Sequence, residues 1–525
     1  MRIHLKQNRG FDWFSSENSY FKGYFFYENT FYEKENAILK LLSFQSIPEF
    51  KNAARQFNGV FTIVITIDNS TLIVCDTTRS FPLFYGMENE TLLITDTIEE
   101  FKSKTIRKES EIEILSSLHC YGNKTLFDEI FITQSSELLT LQNEKIISSE
   151  FLFSYVPVKY SKESYTELKE KTINVFNNVF HRLSKTIEGK RIALPLSAGY
   201  DSRLIACYLK KLGHKNVICY TYGRTSSFEI ENSKKVAGEL GFKWIFIPYS
   251  ETLIEGFTKS NEFKKFVEFA GKYSSTPNFQ EYFAVNYLKQ QKLINENTVF
   301  ISGYAGDLLG GSQFLKVIPK DFTSDNLVAT IYKEKFNLRN HTTEQKEKLQ
   351  NTITTTLCNF NTEYTKKSPH AVFEDFDIKE KITKYIFNSA SFYTFFGCEV
   401  RFPFWDAELL EHFKKIPVQY KLEKRLFDDV FISNYFKPLN VYFSNDYKPD
   451  SKHLKENKLK SVVKNLIPKK VLTKQLEKSD WNNYLLITNE LKEELLKKNL
   501  PFKNPTKAYN QIVVQWYLYF CKNKI

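Results

Sequence analysis

The chain has no CxxC pair, no zinc-ligand spacing and no G-x-G-x-x-G turn, and its seven cysteines are scattered and odd in number. A disulfide framework, a structural zinc module and a dinucleotide fingerprint are therefore excluded, and reduced thiols in a cytoplasmic setting are expected. Long hydrophobic runs are missing too. The longest, around residues 60–67, is far too short to span a bilayer, and the opening Met1-Arg2-Ile3-His4-Leu5-Lys6 lacks the apolar stretch of a secretion signal. No membrane partner is expected. There is no internal repeat and no low-complexity tract, and the eight histidines form no catalytic triad pattern.

What is present is apolar and aromatic: 42% of the 525 residues are hydrophobic and 16% aromatic, enough for about two to four packed domains. Lysine and arginine number 73 against 61 acidic residues, a net charge of +12. The excess is lysine-rich and spread along the chain, so nucleic acid is not expected as a partner. The densest stretch, residues 448–474, reads first as a solvated face and second as a phosphate-binding one.

Two halves differ in pattern. Up to about residue 150, short β-type runs at 61–67, 71–75 and 91–95 alternate with polar turns, which predicts a sheet-rich first half. A Pro-containing segment at 155–161 then precedes a helical stretch, and the boundary is placed there, giving domains 1–155 and 156–525. Beyond it, apolar runs at 191–196, 216–222, 243–248 and 298–301 are strand candidates, the first two followed by helix-like segments. This β-α-β alternation predicts an α/β parallel sheet whose ligands sit beyond the carboxyl ends of the strands, with a mainly helical extension from about residue 320.

At the first strand end stands Leu196-Ser197-Ala198-Gly199-Tyr200-Asp201-Ser202-Arg203. Small residues let backbone N–H groups converge on an anion at a helix start, and Ser197 and Ser202 add hydroxyl donors. Asp201 would repel a phosphate unless a cation lay between them, which points to Mg²⁺. Equally, Ser and Asp here read as ordinary helix caps. The fourth strand candidate runs into Ser302-Gly303-Tyr304-Ala305-Gly306-Asp307, a Gly-rich turn with one carboxylate.

Ser-Ala-Gly-Tyr-Asp-Ser resembles the S-G-G-x-D-S loop of the PP-loop ATP pyrophosphatases, with Ala198 in place of a glycine. The second loop is similar to the S-G-E-G-A-D segment of asparagine synthetases. Glu399-Val400-Arg401-Phe402-Pro403-Phe404-Trp405-Asp406 resembles their E-V-R-x-P-F-L-D signature. In the first half, Phe57-Asn58-Gly59-Val60-Phe61 and Cys75-Asp76 through Leu83-Phe84-Tyr85 look like elements of the class II glutamine amidotransferase domain. The resemblance covers residues from about 50 to about 430. It implies an N-terminal Ntn-type αββα sandwich followed by a parallel-sheet PP-loop domain, akin to the adenine nucleotide alpha hydrolases.

It also implies a chemistry: a substrate carboxylate attacks ATP, and ammonia or an amine then displaces AMP. Leu196, Tyr222 and Gly303 would contact the nucleotide. Ser197, Ala198, Gly199, Ser202 and Ser302 would line its phosphates, and Asp201 with Asp307 would hold Mg²⁺. Residue 2 is Arg where the amidotransferases carry their cysteine, so glutamine hydrolysis is not expected. Tyr304 replaces a glutamate and Leu308 another. A tyrosine at the first place is similar to the β-lactam synthetases, which pair it with a glutamate to deprotonate an amine; only Asn388 and Ser389 stand in the region where that partner is sought. Their charge-stabilising lysine maps to Lys448, with Lys424 as runner-up. A homodimer is compatible with this reading. Glu399, Arg401 and Asp406 read as well as a buried ion-pair network as they do as catalytic groups, and Tyr304 as a packing residue. The alternatives are a catalytically silent scaffold on the same fold or a PP-loop enzyme acting on tRNA.

Overall fold

The computed structural model describes residues 1–102, 104–197, 199–312, 322–443, 446, 479–498 and 508–524. Eleven strands lie before residue 152: β1 (Arg2–His4), β2 (Trp13–Ser16), β3 (Ser19–Tyr27), β4 (Thr30–Glu33), β5 (Asn58–Ile67), β6 (Ser70–Cys75), β7 (Phe84–Glu88), β8 (Thr91–Thr95), β9 (Ile130–Ile132), β10 (Glu137–Gln142) and β11 (Lys145–Phe151). They form two sheets, one of order β1-β8-β7-β9 and one of order β11-β10-β6-β5-β3-β2 with β4 beside β3. Alternation along β5 shows why they stack. Phe61, Ile63 and Ile65 point to a cluster shared with helices α1 (Lys34–Leu42) and α2 (Ile47–Ala54). Val64 points the other way, against Tyr85, Leu92 and Ile94 of the four-stranded sheet. That sheet's far face, with Phe84, Leu93 and Ile132, packs on Ile114 of α3 (Lys108–Ser117). The result is the expected αββα sandwich.

The second half is built on a five-stranded sheet of order β14-β13-β12-β15-β16, every pair parallel. Its strands are β12 (Arg191–Pro195), β13 (Val217–Gly223), β14 (Lys243–Pro248), β15 (Thr298–Ile301) and β16 (Glu399–Arg401). The central three are buried almost throughout, as a sheet covered on both faces by helices requires. Helices α4 (Tyr165–Thr186), α5 (Tyr200–Lys211) and α6 (Phe228–Leu240) cover it. Ser164 opens α4 with a capping box closed by Glu167. The chain leaves β12 to one side for β13 and β14, then returns to the other for β15, so the loops after β12 and β15 diverge and open a crevice between them. The C-terminal region is helical, as expected. No described helix is long and apolar enough to cross a membrane.

Candidate functional site

Leu196 prolongs β12 by donating its N–H to Tyr220 O at 2.8 Å. The chain then turns on itself: Ser197 N donates to Ser202 Oγ at 3.1 Å, and Gly199 N to Ser197 Oγ at 3.1 Å. Gly199 is the N-cap of α5 and supplies no side-chain cap. The capping reading holds in a different form: Ser197 Oγ takes the N–H of Gly199, and Asp201 takes that of Asp307 at the start of the short helix Gly306–Leu309. Ser202 points back to Ser197, and Asp201 faces away from its own helix. Ala198 lies outside the described residues, as does Lys448.

The loop after β15 meets α5 through Asp201. Asp307 N donates to Asp201 Oδ2 at 3.0 Å, and bond lengths alone then bring the two carboxylates within about 8 Å. Asp201 Oδ1 is buried without a hydrogen-bond partner. Burial first, and the charge of Asp307 second, push the Asp201 carboxyl up to about 7; Lys424 works in the opposite direction. Contact this close needs glycine. A Cβ on Gly306 would stand 2.6 Å from Asp201 Cγ, and one on Gly303 would stand 3.1 Å from Asp201 Cβ.

Asp201, Gly303 and Asp307 border a cavity of about 480 Å³ that also reaches Tyr222, Glu229, Ser302 and Tyr304. That volume is within the usual range for small-molecule sites. Glu229 lines it from the first turn of α6, whose cap is Ser227. Among the described residues no three His, Cys, Asp or Glu side chains converge as a metal cage. The donor set is thus two carboxylates, one with an orphaned oxygen. This suits a hard cation completed by substrate phosphates and water.

Sequence reasoning missed a buried carboxylate that lines this cavity. Glu281, just before the helix Tyr282–Gln290, receives the hydroxyls of Tyr220 and Tyr393 on Oε1, the latter at 2.8 Å. Tyr304 lines the same cavity, near enough for the charge of Glu281 to act on its phenol. Burial pushes the Glu281 carboxyl up to about 7, against the pull of these tyrosines. The Tyr304 phenol is driven well above its usual range, by burial and then by the Glu281 charge. Asn388 and Ser389 are not its partners: Asn388 donates to Ala270 O at 2.6 Å and Ser389 to Tyr385 O at 2.8 Å. No motif flags Glu281, which lies 23 residues before Tyr304 in sequence.

Lys424 reaches the cavity, its Nζ 4.5 Å from the centre of the Tyr200 ring and 3.6 Å from Asp428 Oδ1. Asp428 is itself pushed up to about 6 by burial. The third motif does not line the cavity. Arg401 donates to Glu399 at 2.6 Å and to Thr186 Oγ1 at 3.0 Å, and Asp406 takes a bidentate contact from Arg182. In the first half, Cys75 is buried and its thiol is pushed up by desolvation, while Asp76 is taken up by Phe61 N and Thr78 N.

A parallel α/β sheet with its cavity at the strand ends, joined to an αββα sandwich, defines the architectural class. Within it, the chain belongs to the asparagine synthase family, whose model matches residues 184–498, a family of ATP-dependent amide-forming ligases. Similar solved structures include an NH3-dependent NAD synthetase from Campylobacter jejuni, with 16% identity, 42% of this chain and 94% of that one covered, and a TM-score of 0.22. Others are an NMN synthetase from Francisella tularensis (14%, 50% and 97%, 0.19) and a glutamine phosphoribosylpyrophosphate amidotransferase from B. subtilis (10%, 57% and 59%, 0.17). No curated protein matches the chain in sequence.

Proposed function

We propose that the protein adenylates a small-molecule carboxylate with ATP, releases pyrophosphate, and passes the acyl group to ammonia or an amine with loss of AMP. The observation that carries this reading is the junction of Asp201 and Asp307 at the mouth of the strand-end cavity, with Asp201 Oδ1 left unpaired. A buried carboxylate beside a second one costs free energy unless a cation joins them. Asp201 and Asp307 would hold Mg²⁺, which when bound supplies positive charge against the leaving pyrophosphate.

The chain's own groups supply the rest. The amides at the start of α5, with the hydroxyls of Ser197 and Ser202, donate to phosphate oxygens. Leu196, Tyr222, Ser302 and Gly303 border the nucleotide. Tyr304 keeps its proton at neutral pH and orients the amine, while Glu281, held near 7, accepts the proton that the amine releases on attack. Lys424 stands where negative charge gathers on the reacting carbonyl, and Lys448 is the alternative from the sequence.

The test is ATP–pyrophosphate exchange across a panel of carboxylic acids. Asp201→Asn and Asp307→Asn are each expected to lower exchange by roughly a hundredfold or more. Full exchange in both variants would overturn the assignment.

A further inference from the structure

The largest of the cavities described, about 860 Å³, lies mainly between the two sheets of the sandwich, where β7 and β9 face β10 and β11, with Asn359 of the second half at its border. It is independent of the reading given above. The inter-sheet core fills the middle of the sandwich and ends at Tyr85, Leu92 and Leu139, which form one wall of this space. Tyr85 and Phe131 stack with ring centres 5.7 Å apart and present aromatic surface to it.

Its polar floor is Glu137, 2% exposed. Gln134 N reaches Oε2 at 2.8 Å; Gln134 Nε2 and Ser149 Oγ reach Oε1 at 3.2 and 2.7 Å. A carboxylate has about four acceptor positions, so one remains. Burial still holds the Glu137 carboxyl above its usual range, which means that its three donors do not offset its desolvation. At the mouth, Glu129 and Lys145 are exposed, and Glu144 pairs with the amino terminus. Met87 and Ile146 are apolar, and Met87 is 54% exposed.

An aromatic wall, apolar sides and a buried carboxylate with spare acceptor capacity together suit a positively charged head on an apolar body. We propose that this cavity binds a small organic ammonium ion, with its nitrogen on Glu137 and its body against Tyr85 and Phe131. A purely apolar ligand would leave the remaining acceptor position of Glu137 unfilled, and an organic anion would meet its charge directly.

The full chain is titrated calorimetrically with 2-phenylethylamine and, separately, with 3-phenylpropionate, which has a similar body and the opposite charge. The amine is expected to bind saturably and at least about tenfold tighter than the acid, and Glu137→Gln to weaken it by about tenfold. Because Glu137 also anchors Gln134 and Ser149, a second variant carries the test: Met87→Trp fills the mouth from an exposed position. It is expected to abolish amine binding while leaving ATP–pyrophosphate exchange unchanged. Absence of saturable amine binding, equal affinity for the acid, or amine binding that survives Met87→Trp would each overturn the proposal.

Discussion

Glu281 and Asp201 both carry carboxyls raised to about 7 by burial, yet they face different tasks, and pH separates them. A cation on Asp201 favours its charged form, so at saturating magnesium the titrations left beside the site are those of Asp428, near 6, and Glu281, near 7. Amide formation is then expected to rise with pH through an apparent value near 7, and Glu281→Gln to flatten that limb and lower the rate, as a pH–rate profile would show. Without ligands the sign for stability is opposite. A carboxyl whose folded pKa lies above its unfolded value contributes stability below the unfolded value, and that contribution is lost as pH rises through the folded one. Melting temperature in the absence of nucleotide and metal is therefore expected to fall between about pH 5 and 8, less so in Glu281→Gln. Tyr304→Phe addresses a different step. Removing the hydroxyl proposed to orient the amine leaves the phosphate loop intact, so pyrophosphate exchange is expected to persist while amide formation drops, by roughly a hundredfold.

At the scale of elements, the two strand-end loops were legible because their chemistry is local. Small residues follow an apolar run, and a single acid interrupts what would otherwise be an anion cradle. The sandwich was legible for a similar reason, since runs such as Phe61-Thr62-Ile63-Val64-Ile65 form a pleated strand with a distinct residue set on each face. Two elements were not legible. β16 spans three residues, too few for periodicity to register, although it closes the edge of the parallel sheet against β15. Glu281 enters from a helix start between β14 and β15, and only the closed fold sets it beside Tyr304. Element packing itself makes a prediction at Gly306. An added methyl there would lie 2.6 Å from Asp201 Cγ, so Gly306→Ala must displace the Asp201 carboxylate or the β15 loop that rests on it. Pyrophosphate exchange is expected to be lost, with melting changed by less than about 2 kcal/mol equivalent, since the loop sits at the rim of the sheet and not in its core. Unchanged exchange would show that the two loops need not touch.

Over the whole molecule, the segment that most resembles the family signature serves as a staple between halves. Asn58, at the start of β5, donates its Nδ2 to Asp406 Oδ2 at 2.8 Å and accepts from Ala407 N at 3.0 Å. Arg182 of α4 grips the same Asp406 with contacts of 2.9 and 2.7 Å, and Arg401 lies under the Tyr24 ring at 4.3 Å. One carboxylate thus ties the sandwich, the first long helix and the end of the parallel sheet. Removing Arg182 leaves Asp406 with a largely uncompensated charge, and Arg182→Ala is expected to lower unfolding free energy by about 3 kcal/mol. Removing Asn58 takes away one charge-assisted hydrogen bond and one cap, about 2 kcal/mol. Both partners act on the same carboxylate: once Arg182 is gone, Asp406 is drawn toward water, and the Asn58 contact is worth less. A double-mutant cycle in urea is therefore expected to give a combined loss smaller than the sum of the single losses, with a coupling between about 0.5 and 3 kcal/mol. Strict additivity would mean that the halves are held by separate contacts, and that Asp406 is not the point through which they communicate.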